Sequence, residues 1–310
     1  MMKRSGFFWK YVGIVLLTLP MIITSCSLVQ DDSPVKGSGK VAVYITDAPF
    51  PADMVEKVLV TVDSVGLRIQ GGECKTEDGQ TVGDGDPNEG NNNEYKHYDC
   101  DQGFVMILDE PAEVDLMQLQ NGIVDLLAEA ELPVGKYDMI RLFISEALIV
   151  IDEEKSFPLK IPGGSTGGLK IFLSEPIEVT GEGVAEVLID VDLSRSFVVQ
   201  GNPKNKKGIT GFIFKPVIRA VRMAVSGSIK GKVTDAANVP VVQALVTVLQ
   251  AGETVTTALT DEEGVFRVIG LPAGTYDLTI DAEGFKQAAI SSVVVSKKQE
   301  VLKNIKLQTE

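Results

Sequence analysis

The chain has 310 residues, 44% hydrophobic and 23% charged, which are ordinary globular values and exclude wholesale disorder, a collagen-like fibre and a polytopic membrane protein. Its formal charge of -14 argues against nucleic acid as a partner, because a protein that wraps phosphate backbones needs clustered Lys and Arg in excess. The one histidine, His97, leaves little for chemistry built on His pairs, His metal cages or a His base, and no pattern in the chain calls for a cofactor.

Residues 1–25 carry Lys3, Arg4 and Lys10 and no acidic residue, then the apolar run Val12 to Ile23, then Thr24 and Ser25. A basic head, an apolar core of about 7 to 15 residues and small residues at the cut make a secretory signal. As a membrane span the run falls short of the roughly 20 apolar residues a bilayer core requires. Ile23-Thr24-Ser25-Cys26 resembles the lipobox of bacterial lipoproteins, in which the Cys becomes the lipid-bearing N-terminus. The alternative is ordinary cleavage with Cys26 left as a disulfide partner. Parity favours lipidation: with Cys26 acylated, Cys74 and Cys100 are free to pair in an oxidising envelope. On the chain-entropy model that bridge contributes about 3 to 4 kcal/mol. Acyl chains contribute about 0.8 kcal/mol per buried methylene, so more than one on Cys26 anchors durably. The expected location is the bacterial outer membrane, facing the cell surface or the periplasm, with 26–39 as a flexible tether. Asp31-Asp32 resembles the short acidic signals that route some lipoproteins to the cell surface, and a solvated linker charge explains it equally.

From Lys40 the pattern alternates: Val41, Val43 and Ile45 point one way, Ala42 and Tyr44 the other, and Asp47-Ala48-Pro49 turns the chain, so a strand is predicted. Val58, Val60, Val62, then Val65, Leu67 and Ile69, predict a second strand ending at Gln70-Gly71-Gly72. Between 71 and 103 the composition collapses to Asp, Glu, Asn and Gly, which predicts a long disordered insertion stapled at its base by Cys74 and Cys100. Order returns at Phe104 to Leu108. Leu116 to Ala130 has helical spacing interrupted by Asn121-Gly122, and predicts one or two short helical pieces. Further strands are predicted at Met139 to Ile144, Ala147 to Ile151, Leu169 to Leu173, Pro176 to Val179, Val184 to Val191 and Phe212 to Arg222.

An internal echo, Leu132-Pro133-Val134-Gly135-Lys136-Tyr137-Asp138 and Leu271-Pro272-Ala273-Gly274-Thr275-Tyr276-Asp277, launches a strand in each half, Met139 to Ile144 in the first and Leu278 to Ala282 in the second. Pro presets the backbone angle of a turn and Gly relaxes its exit. Two sandwich-like β domains are therefore predicted, about 40–224 and 226–310. In the second, seven short strands fit near Ile229, Leu245, Val255, Phe266, Leu278, Val294 and Leu302, with Asp261-Glu262-Glu263-Gly264 as one of the turns, the spacing of an immunoglobulin-like sandwich.

Gly227-Ser228-Ile229-Lys230-Gly231-Lys232-Val233-Thr234-Asp235, Ala244 to Val248, Thr260 to Phe266 and Gly270 to Tyr276 resemble the carboxypeptidase regulatory-like family over about 226–308. That resemblance implies a transthyretin-like sandwich, grouped with starch-binding-like folds, and a non-catalytic appendage. Asn238 stands where a Gly is common and tolerates the left-handed backbone the turn needs. Val43 to Pro49, Leu132 to Tyr137 with Ile140-Arg141-Leu142, Asp190 to Ser196 and Lys215 to Ala220 resemble an uncharacterised domain-of-unknown-function family of bacterial envelope lipoproteins, over 39–224. That family has no assigned activity.

Gly163-Gly164-Ser165-Thr166-Gly167 satisfies the pattern of a serine-hydrolase elbow, yet that mechanism needs a downstream His and a strand-to-helix turn. His97 lies upstream and a strand follows, so a flexible connection is expected; Leu169 after Gly168 also rules out a phosphate loop. Asp84, Asp86 and Asn88 copy the first ligands of a calcium loop, but Glu89 and Tyr95 replace the required Gly and bidentate Glu. Calcium binding with Glu94, Asp99 or Asp101 is left as the weaker alternative to a solvated acidic loop. Arg141, Asp190, Asp192, Arg195 and Arg219 are charges among apolar strand residues; if buried they must pair, and structural ion pairs are expected before a ligand site. Glycan binding favours exposed aromatic rings, but Trp9 leaves with the signal, and Phe266, Tyr276 and Phe285 are expected to pack the second domain. The expected function is that of a non-catalytic, membrane-anchored interaction or structural module whose partner is an envelope protein or a glycan. A carbohydrate-binding accessory role is the alternative.

Overall fold

The computed structural model describes residues 37–48, 55–71, 103–108, 110–162, 167–202 and 206–310. Cys26, Cys74, Cys100, His97, Asp84, Asp86, Asn88 and 163–166 lie outside them, and with them the expected anchor, disulfide, calcium and elbow residues.

The first domain comprises β1 (Ser38–Ala48), β2 (Lys57–Ile69), β3 (Phe104–Met106), β4 (Ala112–Asp115), β5 (Asp125–Pro133), β6 (Gly135–Asp152), β7 (Lys155–Pro158), β8 (Leu169–Val179), β9 (Val184–Asp192), β10 (Phe197–Gly201), β11 (Ile209–Phe214) and β12 (Ile218–Arg222). Ten of these form one sheet in the order β3-β2-β6-β8-β12-β9-β1-β5, with β4 added to β2 and β7 to β6, while β10 and β11 make a separate ribbon. The pairs β1–β9 and β8–β12 are parallel. The sheet encloses a single core fed by both of its halves, from Val43 and Ile189 to Leu67 and Ile140.

Where the alternation of apolar residues slips, the ladder slips too. The step from Val62 to Val65 is three residues instead of two, which in a regular strand would turn the second run away from the core. Register shifts on either side of Val62 absorb the extra residue, so Val62 and Val65 are both buried in one 13-residue strand. The same device joins Met139 to Ile144 and Ala147 to Ile151, expected as two strands, into the 18-residue β6, and the two expected segments of β8 likewise form one strand. The expected strand Phe212 to Arg222 is instead two, β11 and β12, divided at Pro216, which has no N–H to give a ladder.

The helical expectation for Leu116 to Ala130 is corrected. Only Leu116–Leu119 winds, as a 3-10 turn capped by the Asp115 carboxylate, which accepts from the Met117 N–H at 3.2 Å. Asn121 and Gly122 then adopt left-handed angles, and Asp125–Pro133 pairs with β1 as an edge strand. The open edge of β1 supplies backbone partners that a short helix with a central Asn-Gly could not match.

A 3-10 turn at Met223–Val225 leads into the second domain: β13 (Ser226–Thr234), β14 (Leu245–Gln250), β15 (Glu253–Leu259), β16 (Val265–Pro272), β17 (Gly274–Asp281), β18 (Ala288–Val295), β19 (Glu300–Leu302) and β20 (Ile305–Lys306). One sheet runs β16-β13-β19, with β20 continuing along β13, and the other runs β15-β14-β17-β18. They form an immunoglobulin-like sandwich over Phe266, Tyr276, Leu278 and Val246, all fully buried, with Phe285 packed against them. Asn238 has a φ of 67° and its N–H donates to the Asp235 carbonyl, so the turn survives without glycine.

The echoed motif is one structural device used twice. In each copy the chain leaves one strand at Pro and starts the next at the following Gly, and the buried Tyr reaches back to the Pro carbonyl: Tyr137 to Pro133 at 2.8 Å, Tyr276 to Pro272 at 2.7 Å. A tyrosine corner of this kind fixes the angle at which one strand passes into the next and satisfies a buried hydroxyl.

Candidate functional site

Four of the five charges picked out in the sequence meet where the two domains touch. On β9 the alternation sends Val187, Ile189 and Val191 into the core, so Leu188, Asp190 and Asp192 line the opposite face. On β12, Arg219 lies opposite Asp190 and Val221 opposite Leu188. This outer face receives β15 and β16 of the sandwich. Leu188 is 0% exposed yet belongs to neither core, because the second domain buries it.

The polar contacts follow one scheme at two places. The Arg219 Nε and Nη2 donate to Asp190 Oδ2 at 2.7 and 2.6 Å, while Nη1 and Nη2 reach the carbonyls of Gly270 and Ile269 at 2.6 and 3.2 Å. Thr256 Oγ1 donates to the same Asp190 oxygen at 3.1 Å. The Arg195 Nε donates to Asp192 Oδ2 at 2.7 Å, and Nη1 and Nη2 reach the carbonyls of Thr254 and Val255 at 3.0 and 3.2 Å. Asp192 Oδ1 also caps the helical turn Leu193–Ser196, accepting from the Arg195 N–H and the Ser194 hydroxyl. Each aspartate thus fixes an arginine fork, and each fork grips two successive carbonyls of the sandwich. Charge-assisted forks of this kind are the strong and directional hydrogen bonds.

Close approach requires glycine at two points of the junction. A Cβ on Gly270, which has a φ of +65°, would sit 2.7 Å from Leu188 Cδ2 and 2.9 Å from Val221 Cγ2. One on Gly122, at φ +75°, would sit 3.1 Å from Ile269 Cγ2.

Behind the junction lies Asp47, which the sequence offered only as part of a turn. Its Oδ1 accepts from the Leu193 N–H at 3.3 Å and its Oδ2 is buried without a partner. Burial, and then the negative charges of Asp190 and Asp192, hold its carboxyl well above the usual carboxylate range, against the opposing pull of the Leu193 N–H. Because the folded chain binds this proton more tightly than the unfolded one, stability falls as pH rises above the unfolded value of 3.8 and through the raised folded one. Asp47→Asn is expected to match the parent at pH 4 and to exceed it at pH 8 by about 1 to 3 kcal/mol, the penalty of an unsatisfied buried group. Urea unfolding at the two pH values checks this; an advantage that is the same at both pH values excludes the titration.

The remaining charge, Arg141, lies elsewhere, on the outer face of β6. Among the described residues no group of three or more His, Cys, Asp or Glu is placed to hold a metal ion, and no helix is long and apolar enough to cross a membrane. A cleft of about 150 Å³ beside Thr180, Glu182, Glu186 and Arg222 is smaller than the roughly 300 to 1,000 Å³ of most small-molecule sites.

Residues 38–216 match the family described as "Domain of unknown function (DUF4382)", and 228–308 match the carboxypeptidase regulatory-like domain. No curated protein matches the chain. Similar solved structures include hydroxyquinol 1,2-dioxygenase from Pseudomonas putida, 11% identical, covering 28% of this chain and 57% of that one, with a TM-score of 0.23. A putative carbohydrate binding protein from Bacteroides uniformis is 22% identical, covering 26% and 40%, with a TM-score of 0.23. A cohesin–X-dockerin complex from Acetivibrio cellulolyticus is 24% identical, covering 27% and 58%, with a TM-score of 0.22. The chain thus spans little more than half of the dioxygenase and of the cohesin–dockerin chain. With the first match extending over more than half of its length, the chain belongs to the DUF4382 family, and a carboxypeptidase regulatory-like domain follows.

Proposed function

We propose that this protein is a non-catalytic envelope lipoprotein, held to the outer membrane by an acylated Cys26, whose two β domains act as one interaction or structural unit. The observation that carries the reading is the use made of Asp190, Asp192, Arg195 and Arg219: they are spent on joining the domains, two carboxylates and two guanidinium groups saturated by each other and by backbone carbonyls. Groups so occupied have no nucleophile or base to offer. A three-residue turn at Met223–Val225 between β12 and β13 supports a unit that presents its surfaces together.

The anchoring follows from the Ile23 to Cys26 pattern. In cells fed a labelled fatty acid, the full-length chain is expected to carry label and sediment with membranes, and Cys26→Ala to do neither. Label retained by Cys26→Ala would overturn the anchor. A glycan-binding role is the second reading, favoured by one observation: Phe172 is 67% exposed on the outer face of the large sheet.

A further inference from the structure

Arg141 takes no part in the domain junction. Ile140 and Leu142 enter the core, so Arg141 faces outward from β6, directly opposite Lys170 of β8. Its Nε donates to the Gly167 carbonyl at 2.9 Å, and its guanidinium carbon lies 5.4 Å from the ring centre of Phe104 and 5.0 Å from that of Phe143. Stacked in this way the fork is held in place. Among the described residues neither Arg141 nor the exposed Lys170 has a carboxylate within ion-pair distance.

Like charges directly opposite each other on neighbouring strands weaken a sheet. The same two strands show the usual remedy elsewhere, where Lys136 lies opposite Glu178 and pairs with it at 3.3 Å. Lys40 on β1 likewise reaches Glu129 on β5 at 3.8 Å. In a chain with 43 acidic residues against 29 basic ones, two cations side by side on a sheet face with no carboxylate partner among the described residues stand out as complementary to an anion that is not part of the sheet. Two residues along β8 from Lys170, the Phe172 ring is largely exposed.

We propose that this outer face of β6 and β8 binds an anionic glycan. A uronate carboxylate lies between the Arg141 fork and the Lys170 ammonium, and the apolar face of the same or the adjoining sugar ring rests on Phe172. A carboxylated pyranose offers a charge and a flat CH face about one ring apart, which matches cations and ring spaced two residues along a strand, about 7 Å. A planar carboxylate suits the guanidinium fork in particular. The proposal rests on the interaction-module reading and names the partner class for it; it is independent of the lipid anchor.

The test is titration of the full-length protein in detergent with hexagalacturonate, with its methyl ester as the uncharged control. Binding is expected for the acid form only, and about tenfold weaker in both Lys170→Glu and Phe172→Ser. Lys170→Glu is informative because the new carboxylate can pair with Arg141: its melting temperature is expected to hold or rise while binding falls, which a folding defect cannot mimic. The proposal is overturned if the methyl ester binds as well as the acid, if Lys170→Glu binds like the parent, or if neither form binds. Retention of the unacylated Cys26→Ala protein on phosphatidylglycerol vesicles, lost in Lys170→Glu, also overturns it. Loss of the uronate result with fatty-acid labelling of Cys26 intact removes this site and leaves the anchored-module reading standing.

Discussion

Arg219→Ala is expected to destabilise the protein by about 3 to 5 kcal/mol, the usual result of removing one partner from a buried ion pair. The cost has two parts. Asp190 is left buried with the Thr256 hydroxyl to donate to it, and the Gly270 and Ile269 carbonyls lose the fork that satisfied them. Arg219→Lys is expected to recover little, because a single ammonium cannot reach a carboxylate and two carbonyls in one plane. Urea unfolding followed by circular dichroism measures the loss. A double-mutant cycle with Asp190→Asn assigns it: if the pair is the cause, the double variant loses markedly less than the sum of the two single variants. Strict additivity would show that the two side chains do not act together. If the junction holds the domains as one unit, the Met223–Val225 turn should also become a site of limited proteolysis in Arg219→Ala and remain protected in the parent.

Gly270→Val is expected to be comparably damaging, by about 3 kcal/mol or more, for a different reason. The added side chain would drive into Leu188 and Val221, and β-branched residues are poorly suited to a φ of +65°. The two contributions separate by context. In the sandwich expressed alone from Ser226, the contact with the first domain is gone and only the backbone strain of about 1 to 2 kcal/mol should remain. In the full chain the steric part is added. Equal losses in the two contexts would mean that Gly270 serves the turn alone and that the docking of the domains tolerates the extra volume.

These expectations concern residues of uneven legibility in the sequence. The strands of the sandwich were readable because each is short, alternates, and is bounded by turn residues such as Asp261 to Gly264, whose Asp261 carboxylate accepts from the Glu263 and Val265 N–H groups at 3.0 and 2.8 Å. The repeated Leu-Pro-x-Gly-x-Tyr-Asp motif was visible as a sequence echo, but its meaning, a tyrosine hydroxyl returned to a proline carbonyl, depends on two atoms four residues apart. Leu116 to Ala130 was misread because helical spacing is a local property, whereas the strand it forms is decided by the free edge of β1 some 80 residues upstream, a separation visible in the pairing of Leu126 with Tyr44. The pairing expected for Asp190, Asp192, Arg195 and Arg219 followed from a general rule, that buried charges need partners. The rule does not say which aspartate takes which arginine.

By itself, then, the order of residues determined the β character, the two-domain division near the Met223–Val225 turn, seven of the eight strands of the second domain and the fate of the buried charges as ion pairs, since all of these rest on periodicity, turn chemistry and desolvation, which act within a few residues. Only the tertiary structure decided that four of those charges bind one domain to the other, that Asp47 lies behind them with one carboxylate oxygen unpartnered, and that Arg141 stands apart beside Lys170. Those outcomes depend on which face of β9, β12 and β6 each side chain occupies and on what packs against that face, and a single residue of register would have sent every one of them to the opposite side of the sheet.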